Sequence, residues 1–157
     1  MHILFVCTGN TCRSPLAESI ARAMVAERAR DDVQVSSAGT NAWDGASASD
    51  GSILVALEHG LDLSTHRARV VTSEMVAAAD LVLTMSPSHL ERVEALGGEG
   101  KTHLLTTFAA GGSRVEGGQP IHDPFGGDLI TYRETFEELE DVLRRVVDRL
   151  AQPPAMS

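Results

Sequence analysis

Cysteine, positive charge and long apolar runs are all scarce in this chain, and each scarcity removes a class of protein. The 2 cysteines, Cys7 and Cys12, have four residues between them. They make no framework for a secreted disulfide scaffold and leave a structural zinc site without its other ligands. Their use is then chemical, in a reducing cytoplasm. The 13 Lys and Arg stand against 22 Asp and Glu, a formal charge of -9, so the chain as a whole repels phosphate backbones and anionic lipid. Neither nucleic acid nor a membrane is expected as partner. Apolar stretches such as residues 3–6 and 76–79 fall far short of the ~18 residues of a membrane helix, and no basic segment precedes the first of them. What is present is ordinary for a globular protein: 157 residues, 43% hydrophobic and 22% charged. That composition suits one domain with one core, expected over residues 1–151 with a disordered tail at 152–157.

The order of elements points to an α/β fold. Residues 2–6 read as a short buried strand, and Ser14-Pro15 as a helix N-cap followed by proline at the first helical position. Leu16, Ile20, Ala23 and Met24 share a face of that helix, which should end near residues 30–32 before a strand over 33–38. A polar loop around Trp43 leads to a helix over 53–57 that stops at Gly60, then a helix over 73–79 feeding an apolar strand at 81–85. Ser86-Pro87 repeats the cap-plus-proline start, the Gly97-Gly98 pair ends that helix, and residues 103–108 offer a fourth strand. Residues 109–119 hold four glycines and read as a mobile loop. Tyr132, Phe136, Leu139, Leu143, Val146 and Leu150 then form a stripe along one closing helix. The alternation predicts a single-domain, four-stranded parallel sheet with helices on both faces and a ligand crevice at the carboxyl ends of the strands.

The loop after the first strand lies at that crevice. It runs Cys7-Thr8-Gly9-Asn10-Thr11-Cys12-Arg13-Ser14, a cysteine and an arginine separated by five residues at the positive end of a helix. Backbone N–H groups there can converge on one anion. The helix terminus and the guanidinium both favour a thiolate, so Cys7 is expected to have a lowered pKa and to act as nucleophile. Arg13 can bind two phosphoryl oxygens with its fork, and Gly9 and Asn10 tolerate the left-handed backbone that a tight cradle demands. A cysteine ending a strand and an arginine starting a helix could equally be structural. The placement before a proline-started helix, and the lack of a nucleotide-binding lysine, favour phosphoryl transfer through cysteine.

At this point the sequence resembles a known family. VCTGNTCRSPLAES matches the signature of the low-molecular-weight protein tyrosine phosphatases, and HDPFGG matches their acid loop. The likeness runs from His2 to Leu150 through SSAGT and STHRAR. It implies that Cys7 attacks phosphorus, Arg13 holds the transferred group, and Asp123 protonates the leaving atom before activating water against the phosphocysteine. Asp123-Pro124 alone could be a turn; its pairing with the cysteine loop promotes it, and a neighbouring thiolate and bound phosphate would help its carboxyl keep a proton. The resemblance also implies that Ser14 donates to the Cys7 thiolate, that Asn10, Ser37 and His66 hold the loop in shape, and that Trp43 lines the substrate entrance. Phe125 is placed there too. The other histidines show no shared ligand spacing, so neither metal nor cofactor is expected.

Two departures bear on the substrate, which should be a phosphorylated protein. Tyrosine-specific members carry isoleucine or leucine where this chain has Thr11, and tyrosines where it has Phe125-Gly126. Both features look like the bacterial protein arginine phosphatases. The Thr11 hydroxyl and the Asp123 carboxylate can hydrogen-bond a guanidinium that a branched aliphatic chain would leave without a partner. Phosphoarginine is the first expectation and phosphotyrosine the alternative, which stands if Thr11 only helps the turn. Arsenate reduction on the same fold would use further cysteines, and none follows Cys12. A non-catalytic phosphate-binding module would need neither Cys7 nor Asp123. Cys12 is expected to be the redox partner of Cys7.

Overall fold

The computed structural model describes residues 1–112 and 118–151. Four strands form one sheet in the order β2-β1-β3-β4, all parallel: β1 (His2–Cys7), β2 (Gln34–Gly39), β3 (Leu81–Thr84) and β4 (Thr102–Leu104). Ile3 through Cys7 are buried throughout, as a strand covered on both faces must be. Alternate side chains go to opposite sides. Ile3, Phe5 and Cys7 join the larger core, whereas Leu4 and Val6 join a smaller one with Val76, Val82 and Val93. The larger core lies under α1 (Arg13–Glu27), α2 (Asp50–Glu58) and α6 (Leu129–Ala151). Tyr132, Phe136, Leu139, Leu143 and Val146 of α6 are buried in it and Leu150 packs half-buried against it, the stripe expected from the sequence. The smaller core lies under α3 (Ser73–Ala78) and α4 (Pro87–Val93).

This topology positions the site. From β1 the chain moves to β2 on one side and returns to β3 on the other, so the direction of strand order reverses beside the carboxyl end of β1. That reversal opens a crevice there, and the loop at residues 8–12 sits in it.

Four boundaries differ from expectation for identifiable reasons. Helix α1 starts at Arg13, with Cys12 as cap residue and no side-chain cap; Ser14 is already helical, and its hydroxyl lies against Cys7 instead of capping the helix. The same helix ends at Glu27, short of residues 30–32, where Ala29 takes a left-handed φ of 52° and Arg30 N–H donates to the Val25 carbonyl. The fourth strand is three residues long, and residues 105–108 turn into α5 (Leu105–Ala109). Helical spacing buries Leu105 and lays Phe108 against α6, its ring 4.3 Å from the Arg149 guanidinium carbon. Helix α2 begins earlier than expected, where the Ser49 side chain accepts from Ser52 N–H. Of the stretch expected as a mobile loop, residues 113–117 lie outside the described residues, as does the tail at 152–157. No helix among the described residues is long and apolar enough to cross a membrane.

Candidate active site

Asn10 is the hub of the loop between β1 and α1. It is fully buried and takes a φ of 55°, a conformation asparagine tolerates better than most residues. Its Nδ2 donates to Ser14 Oγ at 2.8 Å and to Ser37 Oγ at 2.9 Å, and its Oδ1 accepts from Arg69 N–H at 3.0 Å. The Asn10 carbonyl oxygen lies 2.7 Å from His66 Nε2. Ser37 accepts from Asn10 and its hydroxyl donates to Glu18 Oε1 at 2.6 Å. Ser37 and His66 are thus where the sequence expected them, behind the loop. Glu18, Arg69 and Gly39 were missed. A Cβ on Gly39 would collide with the Thr8 carbonyl oxygen and stand 2.9 Å from Asn10 N, so the end of β2 can pass behind the loop only as glycine.

The chemical groups face the other way. Cys7 Sγ lies 2.9 Å from Ser14 Oγ, which accepts from Asn10 and can give its own proton to the sulfur or to the Ala38 carbonyl, 3.4 Å away. Burial pushes the Cys7 thiol above its ordinary range; the Ser14 hydroxyl, the Ser14 N–H, the Arg13 charge and the Asn10 N–H all pull it back down. The expectation of a lowered thiol pKa is corrected accordingly, since desolvation of the buried sulfur at the floor of the loop outweighs its donors. Arg13 is buried, its Nη1 donating to the Ile121 carbonyl at 3.1 Å and its Nη2 to Thr8 Oγ1 at 3.4 Å. The same Nη2 is 3.5 Å from Asp123 Oδ2.

Asp123 stands in a turn that the sequence determines. Gly127 N–H donates to the Pro124 carbonyl at 2.8 Å, and Gly126 takes the φ of 81° that the third position of a type II turn requires. Phe125 N–H donates to Asp123 Oδ1 at 3.1 Å, which orients the carboxylate.

These elements enclose a cleft of about 370 Å³. Cys7, Thr8, Gly9, Thr11, Cys12, Arg13, Asp123 and Phe125 line it, together with Asn41, which sequence reasoning missed. Trp43 is exposed, as its polar setting suggested, but is not among the side chains lining the cleft. Cys12 is a free, buried thiol 3.2 Å from Ser49 Oγ and 3.5 Å from the Tyr132 hydroxyl. Burial and that contact push the Tyr132 phenol up to about 12. Tyr132, read from the sequence as core alone, also supports the loop. Among the described residues no three His, Cys, Asp or Glu side chains are grouped to hold a metal ion.

A buried thiol, a guanidinium and a carboxylate around one anion-sized cradle is an arrangement suited to phosphoryl transfer, and comparison with known proteins agrees. The family profile described as low molecular weight phosphotyrosine protein phosphatase matches residues 2–154. The chain is 43% identical over 140 residues to the low molecular weight protein-tyrosine-phosphatase PtpB of Staphylococcus haemolyticus, covering 88% of this chain and 92% of that one. It is 36% identical over 152 residues to the protein-arginine-phosphatase of Bacillus subtilis, covering 96% and 97%. Among solved structures it is similar to the YwlE arginine phosphatase, in a mutant with a phosphorylated active-site serine, at a TM-score of 0.88 and 33% identity over 98% of both chains. The chain therefore belongs to the low molecular weight phosphotyrosine protein phosphatase family, and it is a protein phosphatase.

Proposed function

We propose that the protein hydrolyses phosphoarginine in proteins through a phosphocysteine on Cys7. The Cys7 thiol first gives up its proton to water, and the thiolate, held by the Ser14 hydroxyl, attacks phosphorus while Arg13 and the loop N–H groups hold the phosphoryl oxygens. As the P–N bond breaks, the leaving guanidine nitrogen takes the Asp123 carboxyl proton. Water then attacks the P–S bond, Asp123 takes the water proton, and phosphate leaves with the thiolate restored. The observation that carries the choice of substrate is the cleft wall, where Thr11 and Asp123 are both polar groups available to a guanidinium. Phosphotyrosine is the second reading, favoured by the exposed Phe125 ring, on which a phenyl group could stack, and by the likeness to PtpB. Matched peptides carrying phosphoarginine or phosphotyrosine decide between them: a higher kcat/KM on phosphotyrosine overturns the first reading.

Cys12 serves in this proposal as the redox partner of Cys7. Peroxide oxidises Cys7 to a sulfenic acid, and the Cys12 thiol condenses with it to a disulfide, releasing water. Intact mass after mild peroxide should show the disulfide and its reversal by reductant; sulfinic Cys7 without a disulfide would remove Cys12 from that role.

A further inference from the structure

His89 takes no part in the chemistry just described, yet it is 3% exposed and abuts the loop. It stands on α4, which follows β3, and β3 lies beside β1; the sheet itself carries residue 89 to residue 8. Its Nε2 is 2.8 Å from Thr8 Oγ1, and its Nδ1 is 3.0 Å from Ser86 Oγ. Thr8 Oγ1 also receives Arg13 Nη2. A guanidinium has donors only, so the Thr8 oxygen is the acceptor in that contact and its own proton is free for an imidazole nitrogen. The consistent arrangement is a neutral His89 that accepts at Nε2 and donates from Nδ1 to Ser86.

The electrostatics point the same way. Burial and the Arg13 cation both oppose charge on His89, Asp123 alone favours it, and the result is a pKa lowered to about 4. Among the described residues Arg13 is otherwise tied on its Nη1 side by the Ile121 carbonyl and drawn outward by the half-exposed Asp123.

We infer that His89 is a positioning residue: by accepting the Thr8 hydroxyl proton it turns a Thr8 lone pair toward Arg13 and holds the guanidinium where it meets the transferred phosphoryl group. A charged imidazole could not accept, and it would put a second cation beside the first. The inference rests on the phosphatase reading of the cleft.

The test compares wild type, His89→Ala, His89→Gln, Thr8→Val and the Thr8→Val/His89→Ala double variant on an aryl phosphate, with melting temperature measured for each. His89→Ala should lower kcat by about tenfold with KM within about twofold, the pattern of an interaction needed mainly in the transition state. Glutamine can place an amide oxygen near the Nε2 position and should recover kcat to within about threefold of wild type. The double variant should be no worse than the poorer single one, because both break the same chain. A purely structural histidine would instead give losses that multiply in the double variant and a glutamine no better than alanine. Either of those results, or a folded His89→Ala as active as a working wild type, overturns the inference alone. A wild type inactive on every phosphate ester overturns the phosphatase reading and the inference with it.

Discussion

The two loops that meet over the cleft are held in different ways. In the cysteine loop Asn10 and Ser14 are 0% exposed and Arg13 is 6% exposed, and each polar atom of the Asn10 side chain has a named partner. In the acid loop the Asp123 side chain is 50% exposed and Phe125 is 73% exposed, with one turn, one N–H contact and the Arg13 guanidinium 3.5 Å away holding the carboxylate. The difference matches what each must do. A cradle that stabilises developing charge works by being organised before the substrate arrives. An acid that serves first as donor and then as base must reach solvent to let a leaving group out and water in. Stability should therefore be concentrated in the first loop and leaving-group dependence in the second, and substitutions can separate the two.

The largest effect is expected from Cys7→Ser. Turnover should fall by about 10⁴-fold or more, while vanadate still binds, because Arg13 and the N–H groups survive loss of the nucleophile. Calorimetric titration with vanadate and a discontinuous phosphate assay check both halves. Asp123→Ala should cost about 10²- to 10³-fold in kcat on substrates with basic leaving groups and much less on activated aryl phosphates, with the melting temperature unchanged. Equal losses across a leaving-group series would take the acid role away from Asp123. Asn10→Ala inverts that pattern: three side-chain hydrogen bonds disappear and an alanine is left in a left-handed conformation. A stability loss of about 2–4 kcal/mol should appear in denaturant titrations alongside the lost activity.

The contrast between the loops also explains what could be read from the sequence. Residues 7–14 are contiguous, so nucleophile, anion cradle and guanidinium are legible in one stretch, and Asp123 becomes legible through the proline and glycines that shape its turn. The supports are another matter. Arg69 reaches Asn10 across 59 residues, His89 reaches Thr8 across 81, and Tyr132 reaches Cys12 across 120. No spacing rule links such positions; the parallel sheet and its return to β3 bring them together. The lack of a shared metal-ligand spacing says nothing about His89, an imidazole held as an acceptor. The fourth strand, read too long at its carboxyl end, has a local cause, since Leu104, Leu105, Phe108 and the threonines between them suit a strand as well as a short helix until α6 supplies a surface for Phe108.

Where the loops share a substrate contact, smaller effects follow. Thr11 lines the cleft between the nucleophile and the acid loop. Thr11→Ile removes a hydroxyl from a partly desolvated wall and adds apolar contact, so the ratio of kcat/KM for phosphoarginine over phosphotyrosine should fall by about 10- to 100-fold. An unchanged ratio would show that Thr11 serves only the turn.

The smallest effect tests how the buried loop makes its nucleophile. Burial raises the Cys7 thiol, and the Ser14 hydroxyl is the first of the contacts that lower it. Ser14→Ala removes a lowering contribution and leaves burial in place, so the thiol pKa must move further up. The sign carries directly into rate: at a pH below the thiol pKa the thiolate fraction falls as that pKa rises, whereas well above it the two proteins converge. Inactivation by iodoacetate, followed from pH 5 to pH 10, should show the Ser14→Ala midpoint displaced to higher pH, with a loss of about tenfold at its acid end, the worth of one hydrogen bond to a charged group. The Arg13 charge and the Asn10 and Ser14 N–H groups remain, and they keep the loss from being larger. A midpoint that stays in place, or moves down, would mean that the Ser14 hydroxyl spends its proton on the Ala38 carbonyl, 3.4 Å away, and that the backbone alone stabilises the thiolate.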